Sequence, residues 1–248
     1  MHIARWMVLG MALALVVPAD AAEASATRQT ASFTWTTTSP SAPTGYSMAV
    51  DIDDPANADA KPHSLRELVL EFPRGTLTDT TALPQCKATD AELMLEGAAA
   101  CPNDTRIGGG TIVTDTGSTQ SSFPRLVTND VTQFNNQDEV IGFAQSRTDP
   151  PVRAVSRSKL SGTTSTTELP PFPTPAGPEP FTAFRQMRLS APAIVHDGRA
   201  YARTPASCPA SGSWTIAITF TYWDGVSQTV RTHTPCRRGA DGSSRTTA

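Results

Sequence analysis

The chain reads as mostly β: an antiparallel β-sandwich with one short helix inside its first cysteine loop and a C-terminal hairpin. Three observations predict this. Apolar residues recur with a period of two along most of the chain, with little of the longer helical rhythm. Gly, Pro, Asn and Asp interrupt these runs at short intervals, as they do between strands. Four cysteines, Cys86, Cys101, Cys208 and Cys236, follow an N-terminal stretch with the form of an export signal, the setting in which disulfides staple β-domains.

From the N-terminus, Arg5 precedes an apolar stretch from Trp6 to Val17, shorter than the roughly 20 residues of a bilayer span. Pro18 breaks the run, and Ala19-Asp20-Ala21 is a small-x-small cleavage pattern, so residues 1–21 are expected to be a removable signal peptide and the protein to be secreted and extracellular. No later stretch is apolar enough for a membrane span, and no cysteine stands at the cleavage point to carry a lipid.

Residues 30–236 are expected to fold as a single disulfide-stapled domain. Phe33 and Trp35 alternate with threonines; Tyr46, Met48, Val50 and Ile52 alternate until Asp54-Pro55; Leu68, Leu70 and Phe72 alternate with Glu67 and Glu71 before Pro73. Weaker alternation marks Ile107 to Thr114, Leu126 to Phe134, Glu139 to Arg147, Val152 to Leu160 and Phe184 to Leu189 as further strands. Thr89 and Glu92 have the spacing of a capping box, which predicts a short helix through Leu93 and Leu95 that Gly97 ends. Asp224-Gly225 marks the hairpin turn. If the loop also includes Trp223, Tyr222 faces Val226 and Ile218 faces Val230, while Arg231 and His233 point outward; a two-residue loop would set the apolar face beside charge. The Pro- and Thr-rich stretch 162–180 is expected as a long loop rather than an interdomain linker, and 237–248 as a disordered tail.

Four thiols allow three pairings, of which the neighbouring pairs are favoured: Cys86 with Cys101, and Cys208 with Cys236. A zinc site is disfavoured, because there is no Cys-x-x-Cys and only His233 lies near a cysteine. The 20 Lys+Arg against 23 Asp+Glu give a net charge of -3 with no dense basic run, which argues against nucleic acid and anionic membranes as partners.

The segments ALPQCKATDAELMLEGAAACPNDTRIGGGTIV and TPASCPASGSWTIAITFTYWDGVSQTVRTHTPC resemble a group of uncharacterised predicted secreted actinobacterial proteins with paired LPxC/CP and SCP/TYxDG/SPC segments. LRELVLEFPRG and DVTQFNNQDEVIG match more loosely, and Thr234-Pro235-Cys236 stands where Ser-Pro-Cys is usual. The resemblance implies a stable extracellular β-fold and carries over no catalytic residue.

Candidate chemistry is sparse. Gly45-Tyr46-Ser47-Met48-Ala49 approaches a nucleophile elbow, but Ser47 lies in an alternating strand with no helix after it. His63, His196 and His233 fall near turns or on polar faces. Asp51, Asp53 and Asp54 crowd one strand end and are the weak candidates for Ca²⁺, although the EF-hand positions for glycine and glutamate hold Ala56 and Pro62. Gly108-Gly109-Gly110 lacks the Lys-Ser/Thr of a phosphate loop and reads as a bend or bulge. No catalytic residue and no cofactor are assigned. The leading expectation is a secreted binding or structural module contacting a protein, a carbohydrate or another cell-envelope component. The alternatives are a carbohydrate-active hydrolase using separated carboxylates such as Asp51 and Glu139, and a carrier of an apolar ligand between the sheets.

Overall fold

The computed structural model describes residues 26–120, 123–169, 171–172 and 181–237. The expected signal peptide lies outside the described residues, as do 173–180 of the Pro- and Thr-rich stretch and 238–248 of the tail.

The strands are β1 (Gln29–Trp35), β2 (Tyr46–Ile52), β3 (Leu65–Glu71), β4 (Leu77–Thr78), β5 (Arg106–Asp115), β6 (Leu126–Asn136), β7 (Glu139–Ser146), β8 (Arg153–Ser161), β9 (Thr164–Glu168), β10 (Ala183–Ala191), β11 (Val195–His196), β12 (Arg199–Ala200), β13 (Ala202–Arg203), β14 (Ser213–Tyr222) and β15 (Ser227–Pro235). One α-helix, α1 (Asp90–Glu96), follows Cys86. Eleven strands form one sheet in the order β1-β2-β10-β5-β6-β7-β8-β9-β3-β14-β15, every ladder antiparallel.

This sheet is nearly closed and barrel-like, which corrects the expected sandwich. The physical cause is β9, which pairs with β8 on one side and with β3 on the other and so joins what would otherwise be the edges of two sheets. Its sequence, Thr-Ser-Thr-Thr-Glu, lies within the stretch read as loop, yet threonine is β-branched and suits a strand. At the other join, β1 and β15 lie side by side without a ladder and are stitched by side chains: Trp35 N–H donates to Thr234 Oγ1 (3.4 Å), Thr234 Oγ1 donates to Phe33 O (3.3 Å), and Gln228 bonds both Arg28 N–H (3.1 Å) and Ala26 O (2.9 Å).

The alternation read from the sequence decides what the barrel holds. Phe33, Trp35, Met48, Val50, Ile52, Leu68, Leu70, Ile216, Ile218, Phe220 and Tyr222 point inward and form one buried cluster, each large side chain contributing about 1.5–3 kcal/mol. On β6 and β7 the large apolar residues take the opposite face. Phe134, Ile141 and Phe143 point outward and pack beneath Leu93 of α1 and the Cys86–Cys101 disulfide. α1 begins with the expected capping box, Thr89 receiving Glu92 N–H and giving its own N–H to the Glu92 carboxylate. Arg153 donates to the carbonyls of Met94 and Leu95 at its C-terminal end (2.9 and 2.6 Å), and Arg157 holds Asp90 (2.8 Å).

Strands β14 and β15 pair with Ile218 opposite Val230, and Tyr222 N–H donates to Val226 O (2.9 Å), so Arg231 and His233 are exposed while Thr232 and Thr234 are buried. Gly225 has φ +88°, the left-handed position for which glycine is suited. Both neighbouring disulfides form, with Cα separations of 5.1 Å for Cys86–Cys101 and 5.5 Å for Cys208–Cys236. The β5–β6 register slips between Arg106 and Gly108, just before the triplet, and a Cβ on Gly109 or Gly110 would lie 2.3 Å from Val131 O or 1.9 Å from Arg188 O. The triplet is thus regular strand within β5 rather than the expected bend or bulge, and its glycines let the neighbouring strands approach closely.

Candidate functional site

The inward positions of β6 to β9 are occupied by smaller and more polar residues than those of the packed half. On β7 they are Gly142, Ala144 and Ser146 beyond Val140; on β8, Ala154, Ser156 and Ser158 before Leu160; on β9, Ser165 and Thr167; and on β6, Asn129 and Gln133 alternate with Val127 and Val131. Side chains this short cannot reach the aromatic cluster across the barrel, and a cavity of about 630 Å³ lies between. Phe33, Tyr46, Phe72, Met187 and Leu189 complete its wall, which is mostly carbon.

The strand registers give the cavity two ends. At one, Ile107, Val140 and Tyr201 line a floor packed on Leu83 and Ile194, supported by the β4–β13 pair. At the other stand Phe123, Phe172, Phe181 and Trp223, with Phe123 and Val152 exposed. The rim is anchored by Asp115, whose carboxylate is fully buried and pairs with Arg125 (2.9 Å) and Arg185 (3.2 Å). Burial alone would raise its pKa; hydrogen bonds from Arg125 and from Gly117 N–H, with both guanidinium charges, outweigh that and hold it below the ordinary carboxylate value. The same arginines reach the carbonyls of Asp59 and Ala58 (2.6 and 2.9 Å) and so tie the β2–β3 loop to the rim.

Inside, Tyr46 Oη donates to Gln133 Oε1 (2.7 Å). Burial pushes the Tyr46 phenol up to about 12, partly offset by this bond: its ring faces the cavity, away from bulk water. Ser158 and Thr167 share a hydroxyl hydrogen bond of 2.7 Å. Among the described residues Arg153 is the one charged residue lining the chamber, and its guanidinium is spent on Gln145, Met94 and Leu95.

The acidic residues singled out from sequence do not converge. Asp51 pairs with Arg188 (2.5 Å), Asp53 with Arg185 (3.0 Å), and Asp54 accepts from the N–H groups of Ala56 and Asn57 in its own turn (2.8 and 3.3 Å). Among the described residues there is no group of three or more His, Cys, Asp or Glu that could hold a metal ion. Asp51 and Glu139 both sit on the outer face, one engaged by Arg188 and the other by Arg157 (2.5 Å). They are four ladder steps apart at about 4.8 Å each, beyond the roughly 5–9.5 Å of a glycosidase carboxylate pair. His63 lies 3.4 Å from Asp224, His196 3.6 Å from Asp197 and His233 3.1 Å from Thr215, none beside Ser47, which is exposed on β2. The residues that sequence reading missed are the chamber's own. Their signal was a second period of two, written in Gly, Ala and Ser rather than in apolar residues.

Fold and chamber together define a barrel-like antiparallel sheet with a largely apolar interior cavity. No protein-family model, no curated protein and no solved structure matches the chain. Among the described residues no helix is long and apolar enough to cross a membrane.

Proposed function

We propose that the protein is a secreted binding protein that carries an apolar ligand inside its barrel. The observation that carries this reading is the cavity itself: about 630 Å³, walled mostly by carbon and set against the buried apolar cluster of the other half of the barrel. That volume falls within the roughly 300–1,000 Å³ of small-molecule sites. A purely structural module gains nothing from such a space, because unfilled apolar volume costs stability. The aromatic rim is the entry. Secretion is supported by the N-terminal sequence, and the two disulfides are consistent with an oxidising environment. The hydrolase alternative is disfavoured by the separate ion pairs of Asp51 and Glu139.

The test is titration with an uncharged solvatochromic fluorophore. Saturable binding with blue-shifted emission is expected at one site per chain. Ala144→Trp, which fills the chamber from the middle of β7, should abolish binding while the Tm is kept or raised. Failure of the unaltered protein to bind the probe, or undiminished binding by a folded Ala144→Trp variant, overturns the proposal.

A further inference from the structure

We infer that the chamber selects an uncharged, hydroxyl-bearing lipid over a fatty-acid anion. This rests on reading the cavity as a ligand site and adds the chemistry of the ligand. Asn129 points into the cavity from β6, and its Nδ2 lies within hydrogen-bond distance of Val127 O (3.1 Å), Ile112 O (3.2 Å) and Thr114 Oγ1 (3.3 Å). Two carbonyls around that nitrogen fix the amide's orientation, since the flipped form would set oxygen against oxygen. Asn129 Oδ1 is left with no protein partner among the described residues, an acceptor awaiting a donor. Four residues along the strand, the Gln133 amide holds the Tyr46 hydroxyl with one end (2.7 Å), and its other end has no protein partner among the described residues.

The chamber therefore offers one oriented acceptor, Asn129 Oδ1, and the free end of the Gln133 amide about 13 Å further along β6, with hydroxyls such as Ser156 between the apolar positions. Among the described residues its one cation, Arg153, is already engaged by Gln145 and the carbonyls of Met94 and Leu95. A hydroxyl can donate to Asn129 Oδ1, and the chain behind it can lie against Val131 and Met187. A carboxylate has only acceptors to present: wall hydroxyls could donate to it, but at Asn129 Oδ1 it would meet like polarity, and with no free cation its charge would stay unpaired in a low-dielectric space.

The experiment is displacement of the uncharged fluorophore by 1-tetradecanol and by tetradecanoate at neutral pH, on the full folded chain. The alcohol should bind at least about tenfold more tightly, and acidification that protonates tetradecanoate should remove most of that difference. Asn129→Leu should lose the preference for the alcohol, the displacement constants of 1-tetradecanol and tetradecanoate drawing together. Ser158→Lys, which places a cation in the wall, should turn the preference toward tetradecanoate. Equal or tighter binding of tetradecanoate by the unaltered protein overturns the inference and leaves the carrier reading standing; failure of the fluorophore to bind overturns both.

Discussion

The two halves of the barrel use one pattern to opposite ends. In β1, β2, β3 and β14 the large apolar residues face inward and fill the space; in β6 and β7 they face outward, and the interior receives Gly, Ala, Ser, Asn and Gln beside the valines of β6. Alternation alone reports that a strand has an apolar face, not which side of the barrel that face takes. What settles the side is the covering element. β6 and β7 can turn apolar residues outward because α1 and the Cys86–Cys101 loop lie over them. The hollow half thus depends on a helix outside the barrel, whereas the packed half is filled mainly from its own strands, with Phe72, Leu169 and the Cys208–Cys236 disulfide at its margin.

The largest expected contrast is between the inward faces. Phe220→Ala should cost about 3–5 kcal/mol in denaturant unfolding, whereas Ser158→Ala, inward on the hollow side, should stay within about 0.5 kcal/mol. Similar costs at both positions would mean that the chamber is as tightly packed as the core. Next comes the cover. Replacing Cys86 and Cys101 together by alanine should lose about 3 kcal/mol on the chain-entropy estimate for a loop of this length, and should raise binding of a hydrophobic surface dye as Ile141 and Phe143 lose shelter. A stability loss with no gain in dye binding would show that α1 stays docked unaided.

Gly225→Ala is a smaller test, on the packed side. Nothing lies within 4 Å of the added Cβ, so the cost, roughly 1 kcal/mol, comes from φ +88° alone; a rise in the unfolding midpoint would contradict the turn. The last effect is absent at neutral pH and emerges in alkali. The Tyr46 phenol is raised to about 12 from an ordinary 10, so the folded state favours its protonated form. The stability this represents is fully present below about pH 10 and is lost as the pH climbs through about 12. Tyrosinate absorbance should accordingly show Tyr46 ionising late, and its assignment can be checked with Tyr46→Phe. Ionisation near the ordinary value would mean that the chamber is continuous with bulk water.

Much of the fold was legible. The capping box at Thr89 and Glu92, the Ile218–Val230 register and the strands around Phe33, Met48 and Leu70 all follow from local chemistry that the structure repeats. The sandwich was misread for the same reason that β9 was: Thr164–Glu168 carries no large apolar residue, so hydrophobic periodicity passes over it, although this short strand closes the sheet. The chamber escaped notice because its marks are small residues, which also suit turns and solvent, and only the closed sheet gives them a common side.

The strand count has a consequence of its own. Around a ring in which every neighbour runs antiparallel, directions must alternate, and an odd number cannot alternate all the way round. Eleven strands therefore leave one place where two neighbours run the same way, and here it is β1 and β15, both descending from the rim toward the floor. The mismatch falls between the first strand of the sheet and the last, where Thr234 and Gln228 act as latches in place of main-chain bonds. Apart from one main-chain bond just past the strand ends, Arg237 N–H to Thr38 O (2.8 Å), this seam is held by side chains, so it is where the fewest main-chain bonds resist a change in the girth of the ring.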